Sequence, residues 1–476
     1  MIILSDSNRL IVSFKFPPDD DISGIVVAKR IIVDGSRVDV LQNGTDDESD
    51  YFEAVDEFIN ERLYTSVDAK RDSIDCIFDY TAQGMDLIDD REYDEIYSRS
   101  WYMSNHYLAL EYKFKHPNVK WTAEFSDPVL LNMKGNVKNY KSAVIDRPEY
   151  IDKVNSRISH LNESQNADFK LLENPNNTFY MAEYLTFLFA DRIIFTNENQ
   201  RDIILKSHEE LRDYVMEKSE IIPHPTLDSK YYQLRQSDME LDENDINIAY
   251  FGGFYYILRH FESLFYAYES LNHKHKDRIR FHLFLNDDEF INILIDPLEF
   301  KDNIIIRKPL EYFEFLNATT KFDILLVNDT VTGESFEFNP YLPSKISDYK
   351  GSGRDIWAIY EDKSTLSKLD VRYKSDLSDY SQSRDILVDI LKDYGYDDAD
   401  YSFDDEYYAK RITDLNKIIK SEFDAKNRLE AKNARLTKQI KKLKEQNKRL
   451  EDENASMQSS NSWKITKPLR SLKNRK

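Results

Sequence analysis

A lysine and an aspartate that could act on one ligand stand three residues apart in segment 339–349, Asn-Pro-Tyr-Leu-Pro-Ser-Lys-Ile-Ser-Asp-Tyr. Pro343 suits the first turn of a helix, on which Lys345 and Asp348 would share one face. A carboxylate there can accept both hydroxyls of a ribose, while Lys345 and the helix N-terminal amides face a phosphate. The alternative is a surface ion pair, which would contribute little to stability.

A second group of residues has the composition of a phosphate site. Gly252 and Gly253 follow the apolar run Tyr-Phe, and Arg259 comes shortly after them. Glycines let backbone N–H groups approach phosphate oxygens, and an arginine can bind a diphosphate with two parallel hydrogen bonds. A tight turn is the alternative.

Two further segments supply candidates from the first half of the chain. Gly24 ends the loop Phe-Pro-Pro-Asp-Asp-Asp-Ile-Ser-Gly and could let the backbone approach a ligand, or it could belong to an ordinary turn. Glu124 and Asp127 lie at the end of a predicted strand, where both could face the cleft or cap a loop. His106 and His224 lie near predicted loop ends, although a lone histidine is more often structural.

These residues need a scaffold, and short apolar segments alternating with amphipathic helical stretches predict one. Alternating strands and helices favour mostly parallel sheets covered on both faces, an α/β fold. Helical patterns include 257–271 and 311–319. We predict strands at 10–16, 38–41, 94–97, 120–125, 192–196, 247–251, 279–285, 303–307, 323–327 and 356–360.

The strand series occurs twice, and the acidic stretch 237–245 separates the two sets. We therefore predict two Rossmann-like domains, 1–236 and 237–410, with a final helix that could return to the first. Ligands of such sheets bind at the carboxyl ends of the strands, so we expect a cleft between the domains.

The last part of the chain differs in pattern and charge. Leucines and a methionine recur every seven residues, which predicts a parallel coiled coil over 411–458 and a homodimer; the positions are Leu429, Leu436, Leu443, Leu450 and Met457. A single solvated helix is the alternative. Residues 411–476 hold 19 Lys/Arg and 8 Asp/Glu, a charge of +11, so the net charge of −22 leaves −33 on residues 1–410.

The negative charge of residues 1–410 argues against nucleic-acid binding by this part of the chain. In the basic tail 459–476, Trp463 lies among lysines and arginines, a pattern that suits an anionic membrane surface. The alternative is a frayed basic tail. With one cysteine, no long apolar run and no signal-peptide pattern at the start, we expect a cytoplasmic protein, peripheral at the inner face of the membrane. No zinc spacing, P-loop or G-x-S-x-G elbow occurs.

Taken in order, these motifs resemble the nucleotide-sugar glycosyltransferases of the GT-B fold, close to glycosyltransferase family 4. The shared pieces are the Phe-Pro-Pro…Gly loop, Phe-Ser-Asp-Pro, Ile-Pro-His-Pro, Tyr-Phe-Gly-Gly and Pro-Ser-Lys…Asp, over about residues 8–410. The tail Ser-Trp-Lys-Ile-Thr-Lys-Pro-Leu-Arg resembles one on bacterial surface-polysaccharide glycosyltransferases.

The resemblance implies retaining transfer of a sugar from a nucleotide diphosphate donor, a UDP-sugar above all, to a hydroxyl of a surface glycan, wall teichoic acid or its lipid-linked precursor. The roles that it implies are as follows: Arg259 and Lys345 neutralise the diphosphate, with Glu337 a further catalytic candidate; Gly24, Gly252, Gly253, Ser344 and Asp348 bind the nucleotide sugar; and His106 and Asp127 lie on the acceptor side. It implies neither a metal nor another cofactor.

One departure from the family stands at Pro340, where the first glutamate of a Glu-x7-Glu motif would be; Asp348 takes the place of the second. This departure leaves a rival function open, a non-catalytic GT-B scaffold acting through its coiled coil. A second rival is a protein O-glycosyltransferase with the same fold, which differs only in its acceptor.

Overall fold

The structure is a computed structural model, and it describes residues 8–19, 21–44, 53–68, 72–252, 261–271, 273–285, 288–333, 335–397 and 405–459. The chain divides into two compact units. One contains both large sheets, and the other contains the long C-terminal helix together with residues 292–297.

The first sheet has seven strands in the order β3-β2-β1-β4-β5-β8-β9, and every pair in it is parallel. Its strands are β1 Arg9–Val12, β2 Val38–Asn43, β3 Ile59–Thr65, β4 Glu95–Arg99, β5 Lys120–Phe125, β8 Arg192–Phe195 and β9 Ser219–Ile221; β6 Val144–Ile145 and β7 Asn176–Asn177 form a small antiparallel pair. The helices of this half are α1 Ile22–Asp34, α2 Ile74–Ile88, α3 Ser104–Lys115, α4 Pro148–Gln165, α5 Thr178–Phe189, α6 Glu198–Lys206 and α7 Arg212–Met216.

The second sheet has six strands in the order β12-β11-β10-β13-β14-β15, again all parallel. Its strands are β10 Ile246–Phe251, β11 Ile279–Phe284, β12 Ile304–Arg307, β13 Ile324–Asn328, β14 Asp355–Tyr360 and β15 Tyr373–Asp376. The helices are α8 Glu262–Glu269, α9 His273–Lys276, α10 Asp288–Ile295, α11 Tyr312–Thr319, α12 Lys345–Ser352 and α13 Tyr380–Asp393, and α14 Asp405–Ser459 follows.

The central strands are buried on both faces, which is why they read as continuous apolar runs. All six residues of β10 and all five of β13 are buried. A strand with helices on both sides has no solvent face, so it lacks the alternation of polar and apolar residues typical of half-exposed strands. The prediction of an α/β fold with parallel sheets is confirmed.

The ten predicted strands are all present, with ends that differ by up to four residues. The largest difference is in β1, which ends at Val12, where the Ser13 hydroxyl donates to the Lys15 carbonyl and the loop begins. The short strands β9 and β15 and the charged strand β3 were not predicted.

The C-terminal unit contains the 55-residue helix α14, and the heptad side chains that the structure describes are about half exposed along it. The coiled coil over 411–458 therefore stays a prediction. Residues 460–476 of the basic tail lie outside the described residues. Within the described ranges, we find no helix with both the length and the apolarity to cross a membrane.

Candidate functional site

Loops at the carboxyl ends of the two sheets meet each other. Asn197, directly after β8, donates from Nδ2 to the Pro340 carbonyl at 3.2 Å, and Asn199 donates to the Asn339 carbonyl at 2.9 Å. The segment that leads into α12 is thus held against the first half of the chain. Because ligands of open parallel sheets bind at this edge, the candidate site lies here.

Lys345 begins α12 and places its ammonium at the carboxyl end of β10. Its Nζ lies 4.1 Å from the centre of the Tyr250 ring and contacts Gly252, whose φ of 150° no ordinary side chain favours. The ammonium occupies the space that a Cβ at Gly252 would take. The glycine therefore lets a cation approach the strand end, and the diphosphate role of Lys345 stays a prediction.

The end of β10 is also fixed to α12 by a hydrogen bond from the Phe251 amide to the Tyr349 hydroxyl, 3.1 Å long. Ser344 stands at the N-cap of α12 without a side-chain cap bond, and its carbonyl accepts from the Ser347 hydroxyl at 2.9 Å. The side chain of Ser344 is therefore not used to hold the helix start.

Asp348 makes contacts that the sequence did not predict. Its Oδ1 accepts from Lys29 Nζ at 2.6 Å and from the Tyr312 hydroxyl at 2.8 Å. Lys29 lies in α1 of the first half, is 1% exposed, and also donates to the Ser347 hydroxyl at 2.8 Å. The expected pairing of Lys345 with Asp348 as a surface ion pair is not seen; instead Asp348 joins the two halves through a buried ion pair.

A second buried charge network lies beneath the loops of the first sheet. Glu124, fully buried in β5, accepts from Arg99 Nε at 3.0 Å and from the Tyr97 hydroxyl at 2.7 Å, and it pairs with Arg30 of α1. Desolvation alone would raise the pKa of Glu124, but the two guanidinium groups outweigh it and lower the pKa to about 2. Glu124 is thus a buried anion and does not face the cleft.

Arg99 carries this network to the start of α1 and to the segment between the sheets. It donates from Nη1 to the Ser23 hydroxyl at 2.6 Å, and its Nη2 lies 3.2 Å from His224 Nε2. Burial, together with the charge of Arg99, lowers the pKa of His224 to about 3, so this imidazole is neutral at pH 7. His224 therefore has a structural partner, as expected for a lone histidine.

Asp127 lies two residues after β5, and its side chain is exposed. The protein around the carboxyl group removes part of its hydration and raises its pKa to about 6, against the opposing charges of Arg99 and Lys138. Its charge also acts on Tyr341, in the segment that leads into α12. The acceptor-side role of Asp127 stays a prediction.

The loop that follows Asp127 is held from behind by Glu183 of α5. Its Oε1 accepts from the amides of Val129 and Leu130, both at 2.8 Å, and its Oε2 lies 2.8 Å from His208 Nε2. Glu183 is 1% exposed, and its two oxygens position the loop and His208.

Gly24 has an internal packing role. A Cβ there would lie 2.6 Å from the Lys15 carbonyl oxygen and 3.0 Å from Phe16 Cα, so only glycine lets α1 begin this close to the loop after β1. The carboxylate of Asp21 caps the helix by accepting from the amides of Ser23 and Gly24. Ligand contact at Gly24 stays a prediction.

His106 lies inside the core of the first half. It is 1% exposed, and its Nδ1 lies 2.8 Å from the Ser98 hydroxyl, which also accepts from Trp121 Nε1 at 2.8 Å. Burial lowers its pKa to about 3. The structure therefore places this candidate among core side chains, and its acceptor-side role stays a prediction.

Glu337 is exposed and pairs with Lys206 of α6, whose hydrogen bond and charge lower the pKa of the carboxyl.

Glu361, after β14, is a carboxylate that sequence reasoning missed, and it organises the loop that precedes Glu337. It accepts from the amides of Thr332 and Gly333 at 2.7 Å and from Asn339 Nδ2 at 3.0 Å. The remaining predicted residues, Gly253 and Arg259, lie outside the described residues.

The fold is similar to that of several solved structures. Anabaena Alr3699/HepE, crystallised in complex with UDP-glucose, is 9% identical, with a TM-score of 0.51 over 88% of this chain and 100% of that chain. A glycosyltransferase from Rickettsia africae ESF-5 is 12% identical, with a TM-score of 0.51 over 89% of this chain and 98% of that chain. Apo OtsA is also 12% identical, with a TM-score of 0.51 over 87% of this chain and 95% of that chain. No protein-family model matches the sequence, and no curated protein matches it.

The chain has the GT-B fold. At identities this low the likeness concerns the fold alone, and the side chains of the site must be argued from their own geometry. The GT-B chain brings Lys345, Gly252 and Asp348 to one edge of the second sheet, opposite Asp127.

The residues that sequence reasoning missed are the partners of the predicted ones. Lys29 and Tyr312 hold Asp348, and Arg99 and Arg30 hold Glu124. Lys29 and Arg30 lie within the apolar helix α1, where a charge without solvent must have a partner. A lysine and an arginine inside such a helix are the one signal that could have indicated buried pairs.

Proposed function

We propose that this chain is a retaining glycosyltransferase of hexosyltransferase type. It transfers a sugar from a UDP-sugar to a hydroxyl of a cell-surface glycan, of wall teichoic acid or of its lipid-linked precursor. The observation that carries the proposal is the GT-B fold, shared with a protein that binds UDP-glucose, with a lysine ammonium held at the carboxyl edge of the second sheet.

The geometry suggests how Lys345 would serve the reaction. The sugar leaves a nucleotide diphosphate, on which negative charge grows in the transition state. A cation placed in advance at a helix start stabilises that charge without reorganising. The resemblance adds Arg259 to this role, and it assigns the ribose to Asp348; no metal is required where cations neutralise the diphosphate.

Binding of a nucleotide sugar tests the proposal. We expect UDP or UDP-glucose to raise the Tm of the full chain, because a ligand at 100 times its Kd stabilises the folded state by about 2.7 kcal/mol. GDP, ADP and CDP, with their sugars, are measured alongside. The Lys345→Met variant should lose the shift, whereas Lys350→Met, an exposed lysine of the same helix, should keep it. A shift unaffected by Lys345→Met would contradict the role of the ammonium.

Asp127 gives a pH prediction for the transfer reaction. If its carboxylate accepts a hydrogen bond from the acceptor hydroxyl, kcat/KM should fall as pH is lowered through about 6, because the raised pKa protonates the group there. Asp127→Asn should reduce the rate and remove this step from the profile. Asp213→Asn, an exposed carboxylate of α7, is the control and should keep the wild-type profile. An unchanged profile in Asp127→Asn would exclude the role.

A second candidate function is a non-catalytic scaffold. It is favoured by Asp348, whose Oδ1 already accepts from Lys29 and Tyr312, and by Pro340 at the position of a family glutamate. The same thermal-shift panel separates the two functions, since a scaffold that has lost its donor site would show no shift with any nucleotide.

The C-terminal unit supports a proposal about assembly. The heptad side chains along α14 are about half exposed on a single helix, and pairing with a second copy of α14 would bury them. We therefore place two catalytic bodies on one parallel coiled coil, with the basic tail at an anionic membrane surface on the cytoplasmic side. Light scattering of the full chain measures the dimer, and co-sedimentation with anionic vesicles measures the membrane contact.

A further inference from the structure

A fully buried asparagine ends β13, and its side-chain amide has no hydrogen-bond partner among the residues that the structure describes. Asn328 is 0% exposed, and neither its Nδ2 nor its Oδ1 is bonded. A buried amide can donate two hydrogen bonds and accept two, and leaving these unmade costs free energy. Buried polar groups are satisfied in most proteins, so an exception at the edge of a binding sheet calls for an explanation.

The sheet register places this amide beside the cation of the candidate site. Tyr250 pairs with Leu326, and in a parallel pair the partners point to the same face of the sheet. Asn328 is two residues beyond Leu326, and Gly252 is two residues beyond Tyr250, so both lie on the face of Tyr250 at the carboxyl edge. Lys345 Nζ rests over the Tyr250 ring and against Gly252.

We propose that Asn328 binds a hydroxyl of the sugar in the nucleotide-sugar donor, beside the diphosphate that Lys345 neutralises. This inference rests on the proposed function and assigns a specificity-determining residue to the donor site. Adjacent strands lie about 4.8 Å apart, which is within the span of a diphosphate and its attached sugar. The amide and the ammonium would therefore contact neighbouring groups of one ligand.

The chemistry of the amide favours a hydroxyl over a phosphate. A phosphate only accepts hydrogen bonds, so it could satisfy Nδ2 but would leave Oδ1 unpaired. A sugar hydroxyl both donates and accepts, and two neighbouring hydroxyls satisfy the whole amide. Asn328 should therefore distinguish a nucleotide sugar from the bare nucleotide diphosphate.

The test compares titrations of UDP-glucose and UDP with the wild-type full chain and with Asn328→Leu; if the panel selects another nucleotide, that pair is used. We expect Asn328→Leu to weaken UDP-glucose binding roughly tenfold, the value of one lost hydrogen bond to a buried polar partner, and to change UDP binding by less than about threefold. Asn328→Asp keeps an acceptor oxygen but loses the Nδ2 donor, so it should also weaken the binding of UDP-glucose.

Stability of the free protein gives an independent measurement. Asn328→Leu removes a polar group that has no partner, so its Tm without ligand should equal or exceed that of the wild type. Asn303→Leu is the matched control: Asn303 is buried at the start of β12 and donates to Tyr268, Lys276 and Ile279. Its replacement should lower the Tm and leave the ratio of the two affinities unchanged.

Three results would overturn the inference. Equal weakening of UDP and UDP-glucose would show that Asn328 does not select the sugar, and no weakening of either would show that it makes no contact. If the wild type binds none of the nucleotides in the panel, the proposed function fails, and this inference fails with it.

Discussion

Replacing Glu124 with glutamine is expected to lower the free energy of unfolding by about 3–5 kcal/mol, the range for removing one partner of a buried ion pair. Arg99 and Arg30 would keep their charges in the interior but lose the anion that compensates them. The amide would also turn a donor toward a guanidinium. Because Arg99 reaches Ser23 and His224, the loss should loosen both the start of α1 and the segment between the sheets.

Urea unfolding of the full chain at pH 7 measures the effect as a lower midpoint. The pH dependence has a definite sign: the native pKa of Glu124 is lowered from 4.5 to about 2, so its stabilisation is complete above about pH 4.5 and disappears as pH falls through about 2. The difference in the free energy of unfolding between Glu124→Gln and the wild type should therefore shrink as the pH is lowered from about 4.5 to about 2.

Glu220 provides the control for this prediction. It pairs with Arg192 through two hydrogen bonds, but its side chain is 55% exposed. Exposed pairs contribute about 0–1 kcal/mol, so Glu220→Gln should leave the midpoint nearly unchanged. Equal effects of the two variants would show that the Glu124 network does not stabilise the first half.

The fold was predictable because its central strands carry a local signal. The runs at β10 and β13 are buried on both sides of a sheet, and burial of this kind favours mostly apolar residues. The strands that were missed lie toward the edges. β3 reads Ile-Asn-Glu-Arg-Leu-Tyr-Thr, and half-exposed edge strands tolerate charges that hide their pattern.

The candidate site was predictable in part, for a related reason. The Lys345–Asp348 spacing follows from helical geometry, and the structure confirms a helix that begins at Lys345. The partners of Asp348 were not predictable, since Lys29 is 319 residues away in sequence. Gly24 has a role that the sequence did not reveal: it lets α1 pack against Lys15 and Phe16, while its contact with a ligand stays a prediction.

Replacing Lys29 with methionine is expected to cost about 3–5 kcal/mol of stability, since Asp348 would remain a buried anion with only the Tyr312 hydroxyl left of its two Oδ1 donors. Methionine keeps the length of the side chain, so packing within α1 is conserved. The measurement is the urea midpoint at pH 7. Lys206→Met is the control, because its partner Glu337 is 67% exposed and the pair also links the two halves.

The double variant Lys29→Met, Asp348→Asn separates two roles of Asp348. Removing both charges leaves no buried ion, so most of the lost stability should return. If Asp348 also holds the ribose, the double variant should regain the urea midpoint yet lose the nucleotide-induced rise in Tm. A double variant that has both the wild-type urea midpoint and the nucleotide-induced rise in Tm would show that Asp348 serves only to join the two halves. If Lys29→Met lowers the free energy of unfolding by no more than Lys206→Met does, the buried Lys29–Asp348 pair does not hold the two halves together.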